Sequence, residues 1–377
     1  DGGWFSNLFG FSEEHSLDRV TAMVNGLKHD PNFDPLGERH YVVQEYIDLK
    51  DQKTIMQSKV NGMEYQIGEF SCPALNDLRM HPTVTTGREK GTVSLCAVIG
   101  DIQDILFEKS NAYATFQVAS QFNCLEFPES VNVPEEGVNI YSGDRTQGPA
   151  CSIACGPATV FRNYFVTGNG LPEGQVGQRR EHMIDNLRDL NAEVGNADNA
   201  MMDVRGGYTL ATDDGLVKLN DAIGKKDRDY LKSLLKVGVH TDVEVTAKNW
   251  GRTACGRSGF DVKEKDPHTV NQVFGSACSV TYSKNDTPNL WQPLAQLVLE
   301  ASYEATLRVA VQQAEKHNYT EASNVVYLTL LGGGVFGNEL SWIMAAIQKA
   351  CDSLNNYNLD VRLNLFTEDQ YPSVSSF

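Results

Sequence analysis

The 377-residue chain lacks any run approaching the roughly 20 apolar residues that a membrane-spanning helix needs. It is short of positive charge: 32 Lys and Arg stand against 49 Asp and Glu, a formal net charge of −17. Phosphate backbones demand a basic footprint, so this balance argues against general nucleic-acid binding. A single small anion site survives the argument, because helix N-termini and backbone amides hold phosphate without net positive charge. No GxSxG, HExxH or EF-hand pattern occurs, and no internal repeat or low-complexity tract. None of the eight cysteines forms a CxxC pair. Cys151 and Cys155 are spaced i,i+4 with no partner group at zinc-site spacing, so the cysteines read as small core residues and neither a metal nor a cofactor is expected.

What is present suits a folded α/β protein. Hydrophobic residues make up 41% of the chain and aromatics 9%, enough for a full core. The opening "GGWFSNLFGFSEEH" carries Trp4, Phe5, Phe9 and Phe11, which are expected to pack on the body of the protein. Alternation in "YVVQEYIDL" and "MEYQIGEF" reads as strands, and "PALNDLRM" as a short helix. "TVSLCAVIGDIQDILF" reads as a buried strand, a turn and a short helix, and "AYATFQVASQFNCLEF" as a second strand running into polar residues. "DRTQGPACSIACGPATVFRNYF" has the Asp, Thr and Gly-Pro signature of a helix start, with Gly156-Pro157 splitting the helix. Strands are expected at 234–247, 278–283 and 359–366, and a long, buried helix at 291–317. The domain expectation is an N-terminal extension over 1–90 and a core over 91–377, with a polar helical or loop insertion near 166–235.

Three stretches carry candidate chemistry. "VYLTLLGGGVFGNELSWIMAAIQKAC" places Gly332, Gly333, Gly334, Val335, Phe336, Gly337 and Asn338 between a strand and a helix. It reads as neither a P-loop, which needs Gly-Lys-Ser/Thr, nor a dinucleotide turn. It is either a tight turn or the mouth of a ligand site, since ligands of open α/β sheets bind at the carboxyl ends of strands. Thr146, Gln147 and Gly148 form a second glycine-bearing helix start, either an ordinary cap or a second anion site. Gln117, Gln121, Asn123 and Glu126 follow an apolar strand. Amides there suit a ribose or base, and Glu126 suits hydroxyl binding or water activation; a solvated strand end is the alternative.

This order of parts resembles the macrodomain and poly(ADP-ribose) glycohydrolase superfamily over roughly 110–165 and 270–366. The resemblance implies a mixed or parallel sheet flanked by helices, and two glycine loops that embrace the diphosphate of ADP-ribose. Gly148 and its neighbours would stand for the first loop, and Gly333, Gly334, Val335, Phe336 and Gly337 for the second, with Phe336 beside the distal ribose. Gln121 or Asn123 would be the amide on that ribose. The sequence departs from the family in two ways. Its triple glycine lies in the second loop, and the paired glutamates are missing, leaving Glu126, or more weakly Glu135-Glu136. The implied function is binding of ADP-ribose or a related nucleotide diphosphate, as free ligand or on an ADP-ribosylated protein, with hydrolysis of an ADP-ribosyl bond. The alternative is a structural or self-assembling homo-oligomer on the same fold.

Other features read more simply. Glu304 and Arg308 are an i,i+4 helix pair beside Glu300. His240, Asp242 and Glu244 alternate along a strand, which would put all three on one face as a solvated stripe or a metal site. Two glycosylation triplets begin at Asn285 and Asn318. The expected compartment is the cytoplasm, or a secreted or organellar one if the N-terminus is processed.

Overall fold

The computed structural model describes residues 3–13, 43–81, 91–248, 261–262, 266–283 and 285–375. The first strands, β1 (Ile47–Lys50), β2 (Ile55–Ser58) and β3 (Glu64–Gln66), pair among themselves. The main sheet has seven strands: β4 (Glu69–Ser71), β5 (Val93–Ile99), β6 (Thr115–Ala119), β9 (Gly238–Glu244), β12 (Thr269–Gly275), β13 (Val325–Leu328) and β14 (Leu359–Leu365). Two small ladders stand apart, β7 (Asp203–Arg205) with β8 (Tyr208–Leu210), and β10 (Ala247–Lys248) with β11 (Asp261–Val262). In space the main sheet runs β4-β9-β12-β6-β13-β14-β5. The five strands from β12 to β5 are mutually parallel, and β9 pairs antiparallel with both β12 and β4. The expected mixed α/β sheet flanked by helices is therefore present, and β13, helix Leu340–Ser353 and β14 form the expected parallel βαβ unit. Among the described residues no helix is long and apolar enough to cross a membrane.

Alternate residues of a strand leave on opposite faces, and each face has its own core. Val326 and Leu328 of β13 enter one, with the buried side of helices Gln292–Lys316 and Leu340–Ser353. Val325 and Tyr327 enter the other, with Phe116 and Val118 of β6, helices Gln147–Ala154 and Gly156–Tyr164, and the aromatic opening of the chain. Trp4, Phe5 and Phe9 are buried there as expected. Gly156 admits them: a Cβ at that position would lie 2.8 Å from the Trp4 ring. Helix Gln292–Lys316 is buried nearly all round, as its apolar composition predicts.

One strand was misplaced by the sequence pattern. Residues 278–283 form no strand but an irregular segment with a short 3-10 turn at Val280–Tyr282. The backbone there is held by other partners. The Ser279 amide donates to Thr209 Oγ1 (3.0 Å), and the Ser279 hydroxyl donates to the Thr209 carbonyl (2.7 Å). The real strand, β12, lies earlier and hides its polar residues. Gln272 donates to the Cys151 carbonyl (3.0 Å) and Asn271 to the Tyr113 carbonyl (2.8 Å), both from buried positions. The Asn285 triplet is also committed to the fold: its amide donates to Asp213 Oδ1 (2.8 Å) and its oxygen accepts from the Trp291 indole (2.9 Å).

The Glu304–Arg308 pair forms (2.8 Å), but it belongs to a wider network. Glu304, with a side chain 6% exposed, also binds Arg79 (2.8 Å), which in turn binds Asp229 (2.8 Å). Glu300 binds Arg228 (3.0 Å) and Lys349 (2.7 Å). Removing the shared anion leaves the half-buried Arg308 without the carboxylate it binds and Arg79 with only the exposed Asp229. Glu304→Ala is therefore expected to lower unfolding free energy by about 3 kcal/mol, read as a reduced midpoint in urea; a change indistinguishable from zero would show the network to be solvent-screened.

Candidate functional site

Parallel strands deliver their carboxyl ends to the same side of the sheet, and a cleft of about 410 Å³ lies there. It is lined by residues that leave five strands: Asp101 to Gln103 after β5, Ala119 to Gln121 after β6, Ala277 and Tyr282 after β12, Thr329 to Phe336 after β13, and Asn364 and Phe366 from β14. Its size falls within the roughly 300–1,000 Å³ common for small-molecule sites. Of the residues anticipated from sequence, Gln121, Glu126, Thr146, Gln147, Gly333, Gly334, Val335 and Phe336 line this one cleft. Asn123, Gly148, Gly337 and Asn338 stand behind the lining.

One wall is the start of helix Gln147–Ala154. The Gln147 side chain does not point at solvent: it donates to the Gln117 carbonyl and accepts from the Ala119 amide, both at 2.8 Å. It thus continues the hydrogen bonding of β6 and fixes the helix against the strand. Gly148 allows the contact, because a Cβ there would lie 1.8 Å from the Ala119 carbonyl oxygen. Thr146 is exposed, and its amide is held by Asp144 Oδ1 (2.8 Å). The first amides of the helix have no intrahelical acceptor.

A second wall is the loop after β13. Gly332, Gly334 and Gly337 do in fact fall at G-x-G-x-x-G spacing, contrary to the reading from sequence. They do not open a helix, however; Leu340 begins it three residues later. Gly332 (φ 73°) and Gly337 (φ 72°) are needed for left-handed backbone. The Gly333 amide donates to the Leu330 carbonyl (2.9 Å) and the Gly337 amide to the Gly334 carbonyl (3.0 Å). Asn338 ties the loop down through its amide to the Gly332 carbonyl (2.9 Å) and its side chain to the Cys278 carbonyl (2.8 Å). Tyr303 supports it from below, accepting from the Leu331 amide (2.9 Å). Gly334 is different: a Cβ there would meet nothing within 4 Å. Its backbone faces open space at the cleft.

Glu126 forms part of the lining yet is only 1% exposed. Behind it lies Arg162, fully buried, with Nη2 3.4 Å from Glu126 Oε2 and 3.0 Å from Ser152 Oγ, Nε bonded to the Cys124 carbonyl (3.1 Å), and its guanidinium 3.8 Å over the Phe274 ring. Burial pushes the Glu126 carboxyl above the usual range, and the Arg162 charge and the Ser152 and Ser120 hydroxyls pull it part of the way back. A carboxyl so placed holds its proton more tightly than a solvated one, which suits it to proton transfer. The other cleft acids are engaged by backbone: Asp101 accepts from the Gln103 amide (2.8 Å), and Asp144 from Thr146.

Gln121 braces the turn at the floor, donating to the Phe127 carbonyl and accepting from its amide, both at 3.1 Å. Asn123 donates to the Gly206 carbonyl (3.0 Å) and so anchors the β7–β8 hairpin. That hairpin brings in Tyr208, whose ring lies 5.3 Å from Phe336 and 5.0 Å from Tyr282, with Tyr282 and Phe336 5.4 Å apart. Sequence reasoning missed Tyr208, Tyr282 and Arg162. Tyr208 lies in the polar stretch 166–235 of the sequence, where only the preceding Gly206-Gly207 turn signalled it.

The His240, Asp242 and Glu244 stripe does not assemble. A bulge sets Thr241 and Asp242 of β9 opposite Asn271, with Asp242 at φ 55°, and breaks the alternation. His240 is buried beside the Phe70 and Phe161 rings, Asp242 pairs with Lys316 and His317, and Glu244 accepts from the Gln66 amide (2.8 Å). Among the described residues no three His, Cys, Asp or Glu groups are arranged to hold a metal. Burial, with the Arg162 charge, holds His240 well below its ordinary value. The unfolded chain therefore binds a proton that the folded one refuses, and stability is present above the unfolded value near 6.5 and lost on acidification below it. Below pH ~6.5, wild-type unfolding free energy is expected to fall by up to about 1.4 kcal/mol more per pH unit than that of His240→Leu; parallel pH profiles would contradict this.

Comparison with protein-family models and with curated proteins found no match. Among solved structures, the chain is similar to poly(ADP-ribose) glycohydrolase from Deinococcus radiodurans in complex with ADP-ribose, at 12% identity over 82% of this chain and 92% of that one, with a TM-score of 0.39. It is also similar to poly(ADP-ribose) glycohydrolase from Thermomonospora curvata, at 10% identity over 96% and 98% of the two chains and a TM-score of 0.39. A second structure of the Thermomonospora curvata protein, bound to the inhibitor ADP-HPD, matches at 11% identity over 96% and 99%, with a TM-score of 0.36.

Proposed function

We propose that the cleft binds ADP-ribose or a related nucleotide diphosphate and that Glu126 serves as the base for hydrolysis of an ADP-ribosyl bond. The observation that carries this reading is the meeting of two amide-bearing turns, Thr146–Gly148 and Gly333–Phe336, at one cleft with a buried carboxyl. The sequence resemblance to the macrodomain and poly(ADP-ribose) glycohydrolase superfamily points the same way. In a chain of net charge −17, a diphosphate is best held by backbone N–H groups rather than by a cluster of cations. The amides of Gln147, Gly334, Val335 and Phe336 take that role. Those of Gly333 and Gly337 hold the loop in shape, as do Gln147 and Asn338 through their side chains. Phe336, backed by Tyr208 and Tyr282, offers ring surface to a ribose or base. Gln121 orients the floor beneath it, and Asn123 holds the hairpin that carries Tyr208.

In the hydrolytic step Glu126 takes a proton from water as the water oxygen bonds to the anomeric carbon. The bond to the leaving oxygen breaks, and the proton passes to that oxygen. Arg162 keeps the carboxylate form accessible despite burial.

Gly334 gives the cleanest test of binding, since a side chain there fills the cleft without meeting the protein. By isothermal titration, Gly334→Leu is expected to weaken ADP-ribose binding by at least about tenfold with an unchanged melting temperature. No binding by the wild-type protein at millimolar ligand would end the proposal. Glu126→Gln is expected to bind ADP-ribose within about twofold of wild type while release of ADP-ribose from an ADP-ribosylated protein falls by ~100-fold or more. Full turnover in that variant would remove Glu126 from the chemistry.

A further inference from the structure

Two cysteines that play no part in the proposed chemistry come together beside the cleft floor. Cys72 follows β4 at the edge of the main sheet, and Cys124 lies in the turn between β6 and Glu126. The chain around Cys72 runs alongside β9: Ser71 pairs with Val239 on one side of it, and Ala74 bridges to Lys236 on the other. Cys72 therefore faces Gly238. That residue has no side chain, and the vacant position is taken by Cys124, whose Sγ lies 2.6 Å from where a Gly238 Cβ would be. Cys124 is near enough to raise the proton affinity of the Cys72 thiol. Cys72 is half-buried and Cys124 fully buried, with its Sγ accepting from the Asn186 amide (3.2 Å).

We infer that Cys72 and Cys124 form a reversible disulfide that ties the loop carrying Glu126 to the edge of the sheet. Cys72, the more accessible thiol, meets the oxidant first. A peroxide converts it to a sulfenic acid with loss of water, and the Cys124 sulfur then displaces the hydroxyl, forming the S–S bond and releasing a second water. The two thiols lose two hydrogens and two electrons to the peroxide, and a dithiol reductant reverses the reaction. The bond would close a loop from 72 to 124 and restrain the turn in which the Cys124 amide donates to the Gln121 carbonyl (3.0 Å). It reaches the cleft directly, because Arg162, the partner of Glu126, is bonded to the Cys124 carbonyl. The neighbouring Cys124 thiol and burial hold Cys72 protonated, against the pull of the Lys236 charge, so the reaction is slow until thiolate is supplied.

Each cysteine falls in its own tryptic peptide, residues 60–79 and 110–145, with no other cysteine in either. The full-length protein is treated with hydrogen peroxide for increasing times at pH about 9.5, a unit above the value of a free thiol, then alkylated and mapped by mass spectrometry. The expected product is a cross-linked pair of those two peptides, absent after dithiothreitol and absent in Cys72→Ser. Hydrogen exchange over 120–127 is expected to be slower in the oxidised wild type than in oxidised Cys72→Ser. The inference is overturned if Cys124 remains alkylatable while Cys72 goes on to sulfinic acid, if either cysteine pairs elsewhere, or if both stay reduced. Unchanged exchange over 120–127 despite the cross-link would overturn the link to the Glu126 loop. Both readouts are independent of ligand binding, so their failure is distinguishable from failure of the ADP-ribose reading.

Discussion

Parallel pairing of β12, β6, β13, β14 and β5 means that five segments of chain leave the sheet on one side. Each must turn back over a face to begin the next crossing, and the turns cannot all close over the same space. The cleft is what they leave open. Its shape is fixed by a few backbone contacts rather than by bulk. Gln147 grips β6 at two points, Gly148 lets the helix touch the Ala119 carbonyl, and Gly332 and Gly337 bend the loop after β13. β4 runs in the same direction as these five strands, since β9 is antiparallel to both it and β12, but the residues that follow it do not line the cleft.

Electrostatics then decide what such a cleft can accept. The chain is acidic, and Asp101 and Asp144 in the lining are occupied by backbone amides. Attraction for an anion can come from oriented N–H groups, which carry partial positive charge without a counter-ion, and from Arg145 in the lining. Glu126 is the exception, a carboxyl deep in the floor whose cost of burial is offset by Arg162 behind it. Arg162 is itself sustained by Ser152, Thr159, the Cys124 carbonyl and the Phe274 ring. Ser152 acts on Glu126 as well, so the same hydroxyl serves both members of the buried pair.

The sheet, its parallel βαβ end and the two glycine-bearing turns were legible in the sequence because glycine and proline mark chain reversals and apolar runs mark buried strands. β12 was not, since Asn271 and Gln272 look like surface residues and are satisfied only by carbonyls distant in sequence. Gln147 was recognisable as special, but its bond to β6 required knowing which strand it met. Arg162 reads locally as a charge on a helix, and its burial depends on a carboxyl 36 residues earlier. The His240 stripe failed for a complementary reason. Alternation is a local rule, and one extra residue in β9 cancels it. Tyr208 was hidden by the absence of periodicity around it, although the hairpin that carries it completes the aromatic side of the cleft.

Amide-resolved NMR titration of the isotopically labelled protein with ADP-ribose tests the central claim most directly. Saturable shifts concentrated at the amides of Gln147, Gly148 and Gly334 to Phe336 are the predicted result. Shifts absent from both turns, or confined to residues remote from the cleft, would contradict it.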